Sequence, residues 1–351
     1  MRVAFVGGGT GGHLAPGIAV AEQLREAGHD VRFVVAGREV EASMLSPRAL
    51  PSVALFGAGG RPPLRRLDQW WRATRRWRRE LAGYDPHVVV VLGGWVALPC
   101  ALSGWGARPS VLVETNARPG KVQRLLSGRV DHVCLGAQGP DMPQGRRSTR
   151  LTGTPVPGWR PLPRAEALAA LGLDAQRHTL LIFGGSQGAA DLDALLPAVA
   201  ARLAARDEAW QLLHLRGPGR VVPAASSADV PLHSLPFQAD MASVWAAADA
   251  ALCRAGAGTV AELAASGTPA LLLPYPHHRD RHQAANAEDL VRVGAALQVP
   301  DDDPCAQRSL PALLDELLDD LPARVHAARA LARPGAARRV AEVVSEAGAG
   351  A

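Results

Sequence analysis

Short apolar runs alternate with stretches of helical spacing along almost the whole chain. In the first half the runs cover residues 2–6, 31–36, 53–56, 87–92, 111–113 and 130–135, and in the second half 179–183, 211–215, 233–235, 250–253 and 270–273. Runs that are largely apolar at consecutive positions predict strands buried on both faces, and the helical stretches between them predict parallel pairing through crossovers. The pattern therefore predicts an α/β chain with doubly wound parallel sheets. At 351 residues it suits two domains, each large enough to bury its own core. The segment LTGTPVPGWRPLP (151–163) carries four prolines and two glycines and cannot continue a helix or a central strand, so the domains are expected at 1–156 and 157–351. A last helix is expected over about 336–347, from the spacing of Val340, Val343 and Val344.

Two of the predicted strands empty into glycine turns that lead towards helical spacing. The first is Gly7-Gly8-Gly9-Thr10-Gly11-Gly12-His13 and the second Gly184-Gly185-Ser186-Gln187-Gly188. Such strand-to-helix turns are where open α/β sheets place ligands, because glycine permits close backbone approach and leaves N–H groups facing outward. Both turns suit an anionic or sugar-like ligand. His13 stands at the mouth of the first and is the side chain there that exchanges a proton near neutral pH. The structural alternative for each is a simple tight turn, with His13 capping a helix. A third glycine turn, Ala255-Gly256-Ala257-Gly258-Thr259, follows Arg254, which either strengthens phosphate binding or forms a plain salt bridge. Glu262 lies three residues after Thr259, the spacing of a capping box.

Composition narrows the class. Hydrophobic residues make up 48% and charged residues 20%, a balance that excludes extended disorder. No apolar run reaches the length of a membrane span and no signal-peptide pattern precedes the first strand, so a cytoplasmic protein is expected. Cys100, Cys134, Cys253 and Cys305 are far apart and lack paired metal spacing, which predicts small core residues. His278 and His282 are four apart, but no third metal ligand stands in register.

Six segments, in order, carry a resemblance: GGTGGHLAPG (8–17), GGWVALP (93–99), VETN (113–116), GGSQGA (184–189), CRAGAGTVAEL (253–263) and HHRDRHQAANA (277–287). By these the chain resembles the MurG-type glycosyltransferases over nearly its whole length. The resemblance implies the GT-B architecture, two Rossmann-like domains facing a central cleft, with the last helix packing back on the N-terminal domain. It implies inverting transfer of N-acetylglucosamine from its uridine diphosphate donor to lipid I, a polyprenyl-linked muramoyl peptide, giving lipid II in peptidoglycan synthesis. His13 then corresponds to the candidate general base, with Thr10, Gly11, Gly12, Glu114 and Asn116 about the acceptor and phosphate loop. Gly185, Ser186, Gln187, Gly188, Arg254, Gly258 and Thr259 fall on the donor side, Glu262 on the ribose hydroxyls, and Asp280, His282 and Gln283 on the donor sugar, with Asn286 as local support. No cofactor and no metal are implied. The chain departs from the family at Trp95, where tyrosine is common, at Val113 and Thr115, at Pro157, where a linker arginine is common, and at His282, where glutamine is common. The departure at Pro157 removes an expected diphosphate contact.

Charge adds one further feature. Of 38 basic residues only Lys121 is a lysine, and the net charge is +5. Between Arg61 and Glu80 stand eight arginines against Asp68 and Glu80, more positive charge than the whole chain's net. On a helical wheel Leu67, Trp70, Thr74, Trp77 and Leu81 share one side, while Arg65, Arg72, Arg75, Arg76 and Arg79 share the other. One reading is a core-packed tryptophan stripe with a solvated basic face. The other is an anionic membrane surface engaged by Trp70, Arg72, Arg75, Arg76, Trp77 and Arg79, at the inner face of the cell membrane where a polyprenyl-linked acceptor resides. Nucleic acid is a weaker rival partner, because no nucleic-acid motif accompanies the patch. For the whole chain the alternatives are a related transferase with another nucleotide sugar or acceptor, and a nucleotide-sugar-binding protein without turnover. A nicotinamide-dependent oxidoreductase fits poorly, since the second strand runs into Ala36-Gly37-Arg38 with Glu39 only beyond.

Overall fold

The computed structural model describes residues 1–9, 11–56, 66–105, 107–139, 141–221, 229–276, 280–303 and 305–350. Thr10, Arg65 and His278 lie outside them. The chain forms two compact units, Met1–Pro157 with Pro334–Ala351, and Gly158–Arg333.

The first unit runs β1 (Arg2–Gly7), α1 (Gly11–Glu26), β2 (Asp30–Val35), α2 (Glu39–Leu45), β3 (Ser52–Ala54), α3 (Leu67–Tyr84), β4 (Val88–Gly93), α4 (Ala97–Ser103), β5 (Ser110–Glu114), α5 (Lys121–Leu126), β6 (His132–Leu135) and β7 (Ser148–Leu151). All pairs are parallel, in the order β3-β2-β1-β4-β5-β6-β7. Val88, Val89, Val90 and Val91 are all buried, so β4 is covered on both faces, as a parallel sheet requires. One layer holds Leu14 and Ile18 of α1, and the other holds Ala73 and Trp77 of α3.

The second unit runs α6 (Arg164–Leu171), β8 (His178–Phe183), α7 (Ala190–Asp193), α8 (Leu196–Ala204), β9 (Trp210–Leu215), β10 (Leu232–Leu235), α9 (Met241–Ala247), β11 (Ala250–Cys253), α10 (Ala257–Ser266), β12 (Ala270–Leu272), α11 (His282–Arg292), β13 (Ala296–Gln298), α12 (Leu310–Leu318) and α13 (Leu321–Ala330). Its sheet is parallel too, ordered β10-β9-β8-β11-β12-β13. Helix α14 (Ala336–Ala349) belongs to the first unit, where it packs on α1, β4, β5 and β6. Val340, Val343 and Val344 enter the core, Arg339 donates twice to the Thr152 carbonyl (2.9 and 2.7 Å), and Arg150 pairs with Glu346 at 2.7 Å.

The two strands that hydropathy does not predict, β7 and β13, are the outermost strands at one end of each sheet. Edge strands need only one buried face and so lack a continuous apolar run. Cys305 is exposed and corrects the expectation of four core cysteines, since the other three are buried. Among the described residues no helix is long and apolar enough to cross a membrane.

Candidate active site

In the first unit the loop after β1 emerges between β2 and β4, the strands that flank β1. His13 lies half-buried in the first turn of α1. The loop before it is held by a residue with no obvious sequence signal beyond its place at the third position of a helix. The carboxylate of Glu41, buried in α2, accepts from the backbone N–H of Gly9 (2.7 Å), Ala36 (3.2 Å), Gly37 (2.7 Å) and Arg38 (2.8 Å), while the Arg38 guanidinium donates to the Gly9 carbonyl. Gly9 adopts φ +92°, and a Cβ there would stand 2.9 Å from Trp95 Nε1, so both its conformation and its neighbour require glycine. Trp95 in turn packs at a tilt against Phe56 (centroids 4.9 Å apart) and edge-on against Trp70 (6.2 Å). The tryptophan at the family's tyrosine position thus ties the glycine loop to α3.

Glu114 is placed differently from a ligand-contacting residue. Its carboxylate is buried and accepts from Asn116 N (2.8 Å), Asn116 Nδ2 (3.1 Å) and Gly120 N (3.3 Å), and burial raises its pKa. It shapes the turn after β5, with Asn116 as its partner. Trp77 corrects the expected membrane surface: it is 1% exposed, donates Nε1–H to the Gly104 carbonyl (3.2 Å) and packs edge-on against Trp105. The core stripe of α3 is Ala73, Trp77 and Tyr84, with Trp70 half-buried, because the helix turns these positions onto β4 and α4. The exposed apolar side chains are instead Leu67 (73%) and Trp71 (58%), with Leu102 (77%) on the adjoining α4. Arg75 lies over the Trp71 ring, 4.5 Å from its centroid, and Arg72, Arg76, Arg78 and Arg79 are exposed around it.

In the second unit, β9, β8, β11 and β12 are neighbours, so the loops at their carboxyl ends converge. The Gly184–Gly188 loop follows β8. It leads into a helix of a single turn, α7, so helix-end polarisation contributes little there. Gly188 has φ +67°, and a Cβ would meet the Arg216 carbonyl at 1.9 Å, which fixes this loop against the turn after β9. Asp193 of α7 is buried, accepts from His214 Nε2 (3.0 Å) and pairs with Arg220. Burial lowers the His214 pKa, so a neutral ring carries its proton on Nε2 and offers Nδ1 to the Ser234 hydroxyl at 3.4 Å.

Helix α10 begins after Gly256, which supplies no side-chain cap, so its first N–H groups are available to an anion. Gly258 and Thr259 lie in this opening turn. Since the helix starts at Ala257, Thr259 is its third residue and the capping-box alternative for Glu262 does not form. Glu262 is half-buried; desolvation pushes its pKa to about 7, outweighing the opposing effect of the nearby Trp245 Nε1–H, which makes no hydrogen bond of proper geometry. Arg254 takes the salt-bridged alternative: it is buried, donates to the Leu273 carbonyl (2.9 Å) and pairs with Asp191. It braces the turn. At the start of α11, His282 Nδ1 lies 2.8 Å from Asp280 Oδ1, Gln283 accepts from Tyr275 N (2.9 Å), and Asn286 donates to the Ala255 carbonyl (3.2 Å). The start of α11 is thereby tied to the turns after β11 and β12. Among the described residues no cluster of His, Cys, Asp or Glu is arranged to hold a metal ion.

The sequence matches the glycosyltransferase family 28 N-terminal domain over residues 3–135 and the glycosyltransferase family 28 C-terminal domain over residues 179–346. It is 35% identical to the UDP-N-acetylglucosamine--N-acetylmuramyl-(pentapeptide) pyrophosphoryl-undecaprenol N-acetylglucosamine transferase of Azotobacter vinelandii, covering 98% of each chain. It is 37% identical to the protein of that name from Nitrosococcus oceani, covering 100% of this chain and 99% of the other. The crystal structure of Acinetobacter baumannii MurG superimposes with a TM-score of 0.73 at 26% identity, over 98% of this chain and 99% of that one. Two parallel-sheet α/β units with glycine turns at their strand ends, and these matches along the whole length, make the chain a GT-B protein that belongs to glycosyltransferase family 28 and to its MurG-type transferases.

Proposed function

We propose that the chain transfers N-acetylglucosamine from its uridine diphosphate donor to lipid I with inversion, producing lipid II. The observation that carries this reading is the identity of 35% to 37% with transferases of that name across essentially the full chain. The first unit takes the acceptor, with His13 removing the proton of the attacking hydroxyl. The second takes the donor: N–H groups of the Gly184–Gly188 loop and of the start of α10, with the Ser186 hydroxyl, receive the charge that develops on the departing diphosphate. Glu262 accepts from the ribose hydroxyls, and Asp280, His282 and Gln283 face the sugar. Incubating the protein with a panel of labelled nucleotide sugars and a lipid I analogue tests the reading. Label should reach the lipid from UDP-N-acetylglucosamine; transfer only from another donor, or donor binding without transfer, would contradict it.

Glu262 gives this site a pH dependence. A carboxyl whose folded pKa is raised is stabilising when protonated, and that contribution is lost as pH rises through the folded value, here about 7. Accepting ribose hydroxyls favours the charged form, so uridine affinity should rise about tenfold between about pH 6 and 8. Uridine is the right probe because it has no phosphate titrating there. NMR titration should show this rise in wild type and a flat profile in Glu262→Gln; a slope that persists in the variant excludes Glu262 as its source.

At the membrane, Trp71, Leu67 and the arginines around them form the surface that meets anionic lipid, with the ring in the interface and the guanidinium groups at the headgroups. Trp71→Ser is expected to weaken sedimentation with anionic vesicles about tenfold, a loss of about 1.4 kcal/mol, without lowering Tm. Unchanged binding would remove this face from the contact.

A further inference from the structure

The donor reading leaves the diphosphate short of a cation, because Pro157 stands where a linker arginine was expected. The nearest arginine in the chain, Arg160, is bidentate with Asp240 at 3.1 and 2.8 Å, and Arg254 is committed to Asp191 and the Leu273 carbonyl. Arg220 is different. The turn Arg216-Gly217-Pro218-Gly219-Arg220 leaves the carboxyl end of β9, the strand beside β8, and lies on the glycine loop: a Cβ on Gly188 would come within 2.8 Å of Arg220 Cδ, and one on Gly217 within 2.5 Å of the Gln187 carbonyl. Arg220 Nε donates to Asp193 Oδ2 at 3.0 Å and Nη2 pairs with the same oxygen, while the other oxygen of Asp193 is held by His214. Nη1 makes no hydrogen bond among the described residues, and the side chain is 31% exposed.

We propose that Arg220 is the cationic clamp for the donor's diphosphate, presented to the Gly184–Gly188 loop by the buried Asp193–His214 pair. This rests on the reading of that loop as the diphosphate site. Fixing one edge of the guanidinium on a carboxylate that is itself anchored removes the rotamer freedom that a solvated arginine would lose on binding. The remaining edge then points its donors at an anion lodged on the loop. The cation thus comes from the turn after β9, within the donor unit itself.

The test compares UDP and uridine binding to the full-length wild type, R220Q and R220K, by calorimetry for UDP and NMR titration for uridine. R220Q keeps the stem over Gly188 and removes the charge. UDP affinity should fall about tenfold in R220Q, return to within about threefold of wild type in R220K, and uridine affinity should stay within about twofold throughout. Unchanged UDP affinity in R220Q, or equal loss of UDP and uridine, overturns the clamp and leaves the donor site standing. R220K as weak as R220Q shows that charge is not what Arg220 supplies and also overturns it. Wild type that binds uridine as tightly as UDP overturns the diphosphate reading of the loop, and the clamp with it.

Discussion

His13→Ala should lower the rate of sugar transfer by about 10²- to 10⁴-fold while UDP affinity changes by less than about twofold. The residue sits on the first turn of α1, after a loop whose backbone is fixed at Gly9 by Glu41 and Arg38. An acceptor hydroxyl is a poor nucleophile until its proton is taken, and an imidazole is the side chain that takes it near neutrality. The groups proposed for the donor lie in the other unit, so binding and chemistry should separate cleanly in this variant. Steady-state transfer with UDP titrated in parallel reads both quantities. A variant that loses less than about tenfold in rate would remove His13 as the base.

Glu41→Ala should destabilise the first unit by about 3–5 kcal/mol, because one buried carboxylate satisfies four backbone N–H groups and each left unmade costs about 1–3 kcal/mol before water enters. In a unit of this size that corresponds to a fall in Tm of about 10 °C by calorimetry. Gly9 N–H would also lose its acceptor, so the glycine loop should loosen and transfer should fall even below the transition. A Tm within about 2 °C of wild type would mean that solvent or neighbouring groups replace the carboxylate.

Much of this architecture is legible in the sequence because a parallel sheet covered on both sides leaves uninterrupted apolar runs such as Val88–Val91. The glycine turns are legible for a related reason: positions such as Gly9 and Gly188 have no room for a side chain. What sequence spacing does not reveal is which partner a charged side chain finds. Arg254 meets Asp191 and Glu114 meets Asn116 and Gly120, so two residues that spacing and resemblance bring near ligand loops brace those loops from inside. Glu41 reaches Gly9, 32 positions away, and no local pattern marks that contact. On α3 the wheel finds the buried side, since Trp77 is core and Trp70, Thr74 and Leu81 are half-buried, but it includes the exposed Leu67 and misses Ala73. Small Ala73 packs inward beside Trp77, and the exposed aromatic is Trp71, one position from the Trp70 that the wheel selects. A shift of one residue turns a helical side chain by about 100°, enough to exchange core and surface.

The division of labour between the two glycine loops is tested most directly by backbone hydrogen exchange over the whole chain with and without UDP. Slowed exchange is expected in the 184–188 loop, the 216–220 turn and the start of α10, with no change in the 7–13 loop. Protection confined to the 7–13 loop, or absent from the second unit, would contradict the placement of the donor.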